Sequence, residues 1–184
     1  MKVMDREKAL ELVKKHVKNR NLVKHMLAVE AVMKALAERL NEDEEIWGLA
    51  GLLHDIDYDL TYDKPEKHSI VAMDILKDYD LPKEVLDAIL AHSGKKKVET
   101  KIERAIYAAD PITGLIVAAA LIHPEKKLSS IDTKFVLNRF KEKSFARGAN
   151  REQIKSITEL GISLEEFVDL SLRAMQGISD DLGL

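Results

Sequence analysis

The 184-residue sequence contains no cysteine. Disulfides, zinc–thiolate sites and thiol nucleophiles are therefore excluded, and His and Asp remain as the expected transition-metal ligands. No apolar run approaches the roughly 20 residues that a bilayer requires; the longest of note is Val117 to Ile122. The opening stretch, MKVMDREKALELVKKHVKN, is too charged to be the apolar core of a signal peptide. A cytoplasmic protein with no membrane partner is expected. An excess of positive charge is also missing: 29 Lys and Arg face 32 Asp and Glu, a formal net charge of −3. That balance argues against a chain-wide nucleic-acid footprint, so any anionic ligand must be held by local charge or by metal. Alternating strand patterns, internal repeats and linkers rich in Pro, Gly or Ser are lacking as well.

What is present is helical periodicity almost throughout, in a chain long enough to bury a substantial core as one domain. Asp5 caps a predicted helix to about Lys18, and Asn21 a second through Leu40. In the second, Leu22, His25, Met26, Val29, Val32, Met33, Leu36 and Leu40 share one face, which turns His25 inward. Asp43 starts a third, ending on His54 and Asp55. IDYDLTYDKP reads as a loop, followed by helices from Glu66 to about Asp78 and from Leu81 to about His92. A helix from Thr100 should kink or end at Pro111. Further helices are predicted near Thr133 to Lys143, after Asn150, and after Ser163, where Glu166 completes a capping box. The expected fold is all-α: a domain over 1–124 with a C-terminal helical extension over 125–184.

Six histidines stand at 16, 25, 54, 68, 92 and 123. Asp55 lies at the C-terminal end of a strongly apolar helix, where the helix dipole disfavours a carboxylate. A bound cation would offset that cost. His25 and Asp110 sit on the inward faces of other apolar helices, so several helices can aim imidazoles and carboxylates at one point. A lone inward His is more often a hydrogen-bonded core residue, and a lone His-Asp pair arises by chance. The ordered set His25…His54-Asp55…Asp110 is more specific. His16, among Lys14, Lys15 and Lys18, reads as solvated, and His123 as a turn residue before Pro124.

With LAGLLHDI before the doublet's loop and AIYAAD around the last position, the stretch from His25 to about Leu115 resembles an HD-superfamily phosphohydrolase domain. The resemblance implies that His25, His54, Asp55 and Asp110 bind a divalent metal. His68, in KPEKHSIVAMDIL, and His92, in AILAHSG, stand where two-metal members carry extra histidines. The layout is most similar to the dinuclear HD-type diadenosine-tetraphosphate hydrolases. It implies one metal on His25, His54 and Asp110, a second on His68 and His92, and Asp55 as bridge. Mixed imidazole and carboxylate ligation suits Fe, Mn, Ni, Co or Zn better than Mg alone. One or two such ions would activate water for attack on a phosphoester or phosphoanhydride.

Many two-metal members read His-Asp-Ile-Gly-Lys; here the run is His54-Asp55-Ile56-Asp57-Tyr58, so Tyr58 replaces the phosphate-binding lysine. His54 and Asp55 are the expected catalytic centre, with Asp57 or Asp59 as general acid or supporting partner. Phosphate contacts are expected from Lys95 and Lys96, directly after His92, and from Arg147 in the SFARG turn. The expected partner is a small phosphorylated substrate, a nucleotide, and no nucleic-acid polymer. A mononuclear nucleotidase and a non-catalytic metal- or nucleotide-binding module are the alternatives.

Overall fold

A computed structural model describes residues 4–184, and among them it contains helices and no strand. The expected all-α fold is what forms. Helix α1 (Arg6–His16) begins where the Asp5 carboxylate accepts the Lys8 N–H at 2.9 Å. Helix α2 (Arg20–Leu40) starts earlier than predicted. Asn19, not Asn21, has the extended backbone of a cap, and its Oδ1 accepts the N–H groups of Asn21 and Leu22. Met26, Val29, Val32, Met33 and Leu36 form the buried stripe of α2.

Helix α3 (Glu44–Leu53) packs directly on α2. The contact is backbone against backbone at Gly51, where a Cβ would meet Glu30 Cα and N at 2.8 Å. The segment read as a loop contains a single turn, α4 (Tyr58–Thr61). Helix α5 (Ile70–Leu76) starts later than the predicted Glu66. Pro65–Lys67 form a 3-10 turn instead, and Ser69 takes a left-handed φ of +70° that breaks the helix. Helix α6 (Lys83–His92) follows, starting two residues later than predicted, with Pro82 at its cap.

Helix α7 (Lys101–Ile122) does not end at Pro111 but continues eleven residues beyond it. A proline there removes the N–H that the Tyr107 carbonyl would accept four residues back. Gln153 Nε2 donates to that carbonyl at 3.1 Å, so the lost bond is replaced from another helix. Although α7 has the length and apolarity to cross a bilayer, 56% of its most apolar window is buried inside the protein. It is a core helix.

The remaining helices are α8 (Thr133–Lys141), α9 (Arg151–Lys155), α10 (Leu164–Gln176) and α11 (Ser179–Leu182). Ile154, Phe167, Leu172 and Met175 join the same core as α2 and α7. Ser163 caps α10 through the Glu166 N–H, but the Glu166 carboxylate pairs with Arg39 and does not close the expected capping box. Between α8 and α9 the chain turns tightly, and Ala146 adopts a left-handed φ of +46°. Arg151 holds that turn: its guanidinium donates to the carbonyls of Phe140, Glu142, Phe145, Ala146 and Ala149 at 2.5–3.1 Å.

Candidate metal centre

Four helices deliver the candidate ligands to one place. His25 comes from the second turn of α2, His54 and Asp55 from just past the end of α3, His92 from the last turn of α6, and Asp110 from the middle of α7. His68 comes from the segment before α5. His25 Nε2 lies 2.8 Å from Asp110 Oδ1, 3.1 Å from His54 Nε2 and 3.3 Å from Asp55 Oδ2. His54 Nε2 is 3.2 Å from Asp55 Oδ2 and 3.3 Å from Asp110 Oδ1. On the other side, His68 Nε2 and His92 Nε2 are 3.2 Å apart, and both approach Asp55 Oδ1 at 3.2 and 3.3 Å. The two oxygens of Asp55 thus face two different imidazole pairs.

The Nδ1 atoms explain why every Nε2 points inward. His54 Nδ1 donates to the Gly51 carbonyl at 2.7 Å, and His92 Nδ1 to the Ile89 carbonyl at 2.5 Å. Each closes the end of its helix while aiming its other nitrogen at the cluster, so helix cap and candidate ligand are one arrangement. His25 Nδ1 donates to Thr113 Oγ1 at 3.2 Å, since that hydroxyl's own proton goes to the Asp110 carbonyl. His68 Nδ1 donates to Asp57 Oδ1 at 2.8 Å. Four imidazoles with Nδ1 engaged and Nε2 lone pairs converging on shared carboxylates fit a divalent ion, because such outer hydrogen bonds fix the tautomer a metal needs. The donor set itself is that of a helical-bundle metal site.

Without metal the same carboxylates draw protons onto the imidazoles. Burial alone would lower His25, but hydrogen bonds to Asp110 and Asp55 outweigh it and hold its pKa at about 9. His68 is likewise raised to about 9 against the effect of burial, by Asp55 and Asp57. Burial opposes ionisation of Asp55 and Asp110, yet the charge on His54 and the surrounding imidazole hydrogen bonds hold both well below the usual carboxylate range. Metal and proton therefore compete for the same nitrogens.

Asp57 is not placed to be a general acid. It is fully buried, and its Oδ2 accepts the N–H groups of Ser69 at 2.7 Å and Ala72 at 2.9 Å while Oδ1 orients His68. No oxygen is left for a substrate. Asp57→Asn should therefore weaken metal binding at the His68–His92 side by about 10–100-fold, read as metal affinity by competition with a chelator. Unchanged affinity would remove this positioning role. Asp59 is also occupied elsewhere, accepting the Lys18 N–H at 2.7 Å where α1 meets α2.

The lysines expected to bind phosphate are corrected too. Lys96 is paired with Glu103 at 2.9 Å and Glu99 at 3.3 Å, which neutralises it. Lys95 Nζ donates to the Pro65 carbonyl at 3.0 Å and so braces the turn before His68. Arg147 stays exposed, and its neighbours Ala146 and Gly148 line a cavity of about 450 Å³ together with His25 and Asp110. Tyr58 is partly exposed, with its ring edge-on to His68 at 5.4 Å. His16 and His123 lie outside the cluster. Sequence reading missed Ser69, Thr113, Arg151 and Gln153. The one signal available was Gln153's place soon after the SFARG turn.

An all-helical frame converging imidazoles and carboxylates in this way forms a candidate metal centre. Residues 22–120 match the family described as HD domain. The chain belongs to the HD domain family. It is similar to ribonuclease Y of Desulforudis audaxviator (strain MP104C), 34% identical over 137 residues, covering 72% of this chain and 26% of that protein. Ribonuclease Y of Acholeplasma laidlawii (strain PG-8A) is 32% identical over 93 residues, 50% of this chain and 18% of the relative. That of Sulfurovum sp. (strain NBC37-1) is 28% identical over 163 residues, 87% and 32% respectively. The chain spans less than a third of the length of the first two relatives. No solved structure matches it. These relatives are named for RNA cleavage, which overturns the expectation of a small substrate and no nucleic-acid polymer. Net charge averaged over the chain was a poor guide, because a metal centre neutralises phosphate locally.

Proposed function

We propose that this chain hydrolyses a phosphodiester bond of RNA at a centre that holds two divalent metal ions. The observation that carries the dinuclear reading is the split of Asp55, with Oδ2 facing His25 and His54 and Oδ1 facing His68 and His92. His25, His54 and Asp110 would hold one ion and His68 and His92 the other, with Asp55 shared. Bound there, two ions supply Lewis acidity and an activated water for phosphoryl hydrolysis. The mixed nitrogen and oxygen donors favour Fe, Mn, Ni, Co or Zn over Mg.

The chain's own groups arrange the substrate. The side chains of His25 and Asp110 are 26% and 28% exposed, whereas His54 and His92 are closed off at 0% and 2%. A phosphate therefore approaches from the His25–Asp110 side, where the turn braced by Arg151 carries Arg147. Support for RNA comes from the relatives' names alone. Elemental analysis of anaerobically purified protein should give about two metals per chain, and the Mn²⁺-loaded protein should cleave 5′-labelled single-stranded RNA. One metal per chain sinks the dinuclear reading; a fully loaded chain that leaves RNA intact sinks the substrate.

A further inference from the structure

A second cavity adjoins the centre. It is a groove of about 580 Å³ between α2, α7 and residues 182–184, a size that suits an organic ligand. Ala28, Val117, Ala118, Leu121, Leu182 and Leu184 supply its apolar walls, and Asn21 and Lys24 its polar groups. It shares two residues with the phosphate-side cavity, His25 and Gly114. Gly114 lies in the interior of α7, where glycine is unfavourable for a helix. A Cβ there would meet no atom within 4 Å, so packing does not demand glycine. The missing side chain instead leaves the passage between the two cavities open.

We propose that this groove is the nucleoside subsite for a substrate whose phosphate sits at the metal centre, with Gly114 as its specificity-determining residue. The inference rests on the phosphodiesterase reading and adds where one flanking nucleoside lies. A flat heteroaromatic base buries its faces against aliphatic walls and meets Asn21 and Lys24 at its polar edge. A pure hydrocarbon chain would make no use of those two groups. The phosphate-side cavity, under the Arg147 turn, receives the rest of the strand. Two clefts meeting at one phosphate suit a diester, which carries a substituent on each side, better than a monoester.

The experiment is isothermal titration of the metal-loaded full chain with adenosine 5′-monophosphate, ribose 5-phosphate and inorganic phosphate. The wild type should bind the nucleotide about tenfold more tightly than ribose 5-phosphate. Gly114→Leu should erase that advantage while leaving metal content and helicity unchanged. Leu121→Glu, at an exposed wall position, should erase it too, and covers the case in which Gly114→Leu disturbs α7. Equal affinities in the wild type overturn the subsite, as does an advantage that survives either folded variant. RNA left intact by a protein that keeps the nucleotide advantage overturns the phosphodiesterase reading and leaves the groove standing.

Discussion

Asp55→Ala is expected to lower turnover by at least about a thousandfold, roughly 4 kcal/mol of transition-state stabilisation. It should also strip metal from both halves of the centre, because it removes the carboxylate that His25, His54, His68 and His92 all approach. Steady-state kinetics with metal analysis read both effects, and full activity in the variant would end the assignment. The metal-free protein gives an independent check through pH. His25 and His68, raised to about 9, bind more protons folded than unfolded, where imidazole titrates near 6.5. Their contribution to stability is thus complete below about 6.5 and lost as pH rises through about 9. Asp55→Ala removes one carboxylate partner from each, so that loss should move to lower pH. Chemical denaturation of the apo proteins from pH 6 to 10 follows it, and superimposable profiles would contradict the cause assigned here.

Gly51→Ala is expected to cost about 2–4 kcal/mol of stability although it adds a single methyl group. The new Cβ would stand 2.8 Å from Glu30 Cα and N and 2.9 Å from the Val29 carbonyl carbon. All three are backbone atoms that no rotamer change can move. Helix α3 must then shift away from α2, and His54 moves with it because its Nδ1 is bonded to the Gly51 carbonyl. Metal affinity should fall together with the denaturation midpoint. A variant of wild-type stability would show that the helices can separate freely. Gly114→Ala, in the same fold but facing open space, should be neutral or stabilising by comparison.

Much of the fold was legible because its signals are local. Asp5, Asp43, Asn150 and Ser163 each cap the helix that their spacing predicted. The inward turn of His25 followed from the apolar stripe around it. Failures came where a distant group replaced a local rule. Pro111 reads as a helix break until Gln153, 42 positions later, supplies the hydrogen bond that Tyr107 lost. The start of α5 was misplaced because the positive φ of Ser69 depends on hydrogen bonds to Asp57 and the Ile89 carbonyl.

The sequence by itself determined the class of chemistry. Without cysteine, and with His25, His54-Asp55, His68, His92 and Asp110 on inward helical faces or beside them, a histidine–carboxylate metal centre was the available outcome. Only the tertiary structure decided which polar groups are free to act. Asp57 reads as a loop acid yet is consumed by His68, Ser69 and Ala72, and Lys96 reads as a phosphate ligand yet is consumed by Glu99 and Glu103. The two oxygens of the doublet's aspartate likewise face separate imidazole pairs only because α2, α6 and the segment before α5 converge on it. The physical reason is common to all three. Periodicity fixes the face on which a side chain lies, but its role depends on partners that approach from other helices.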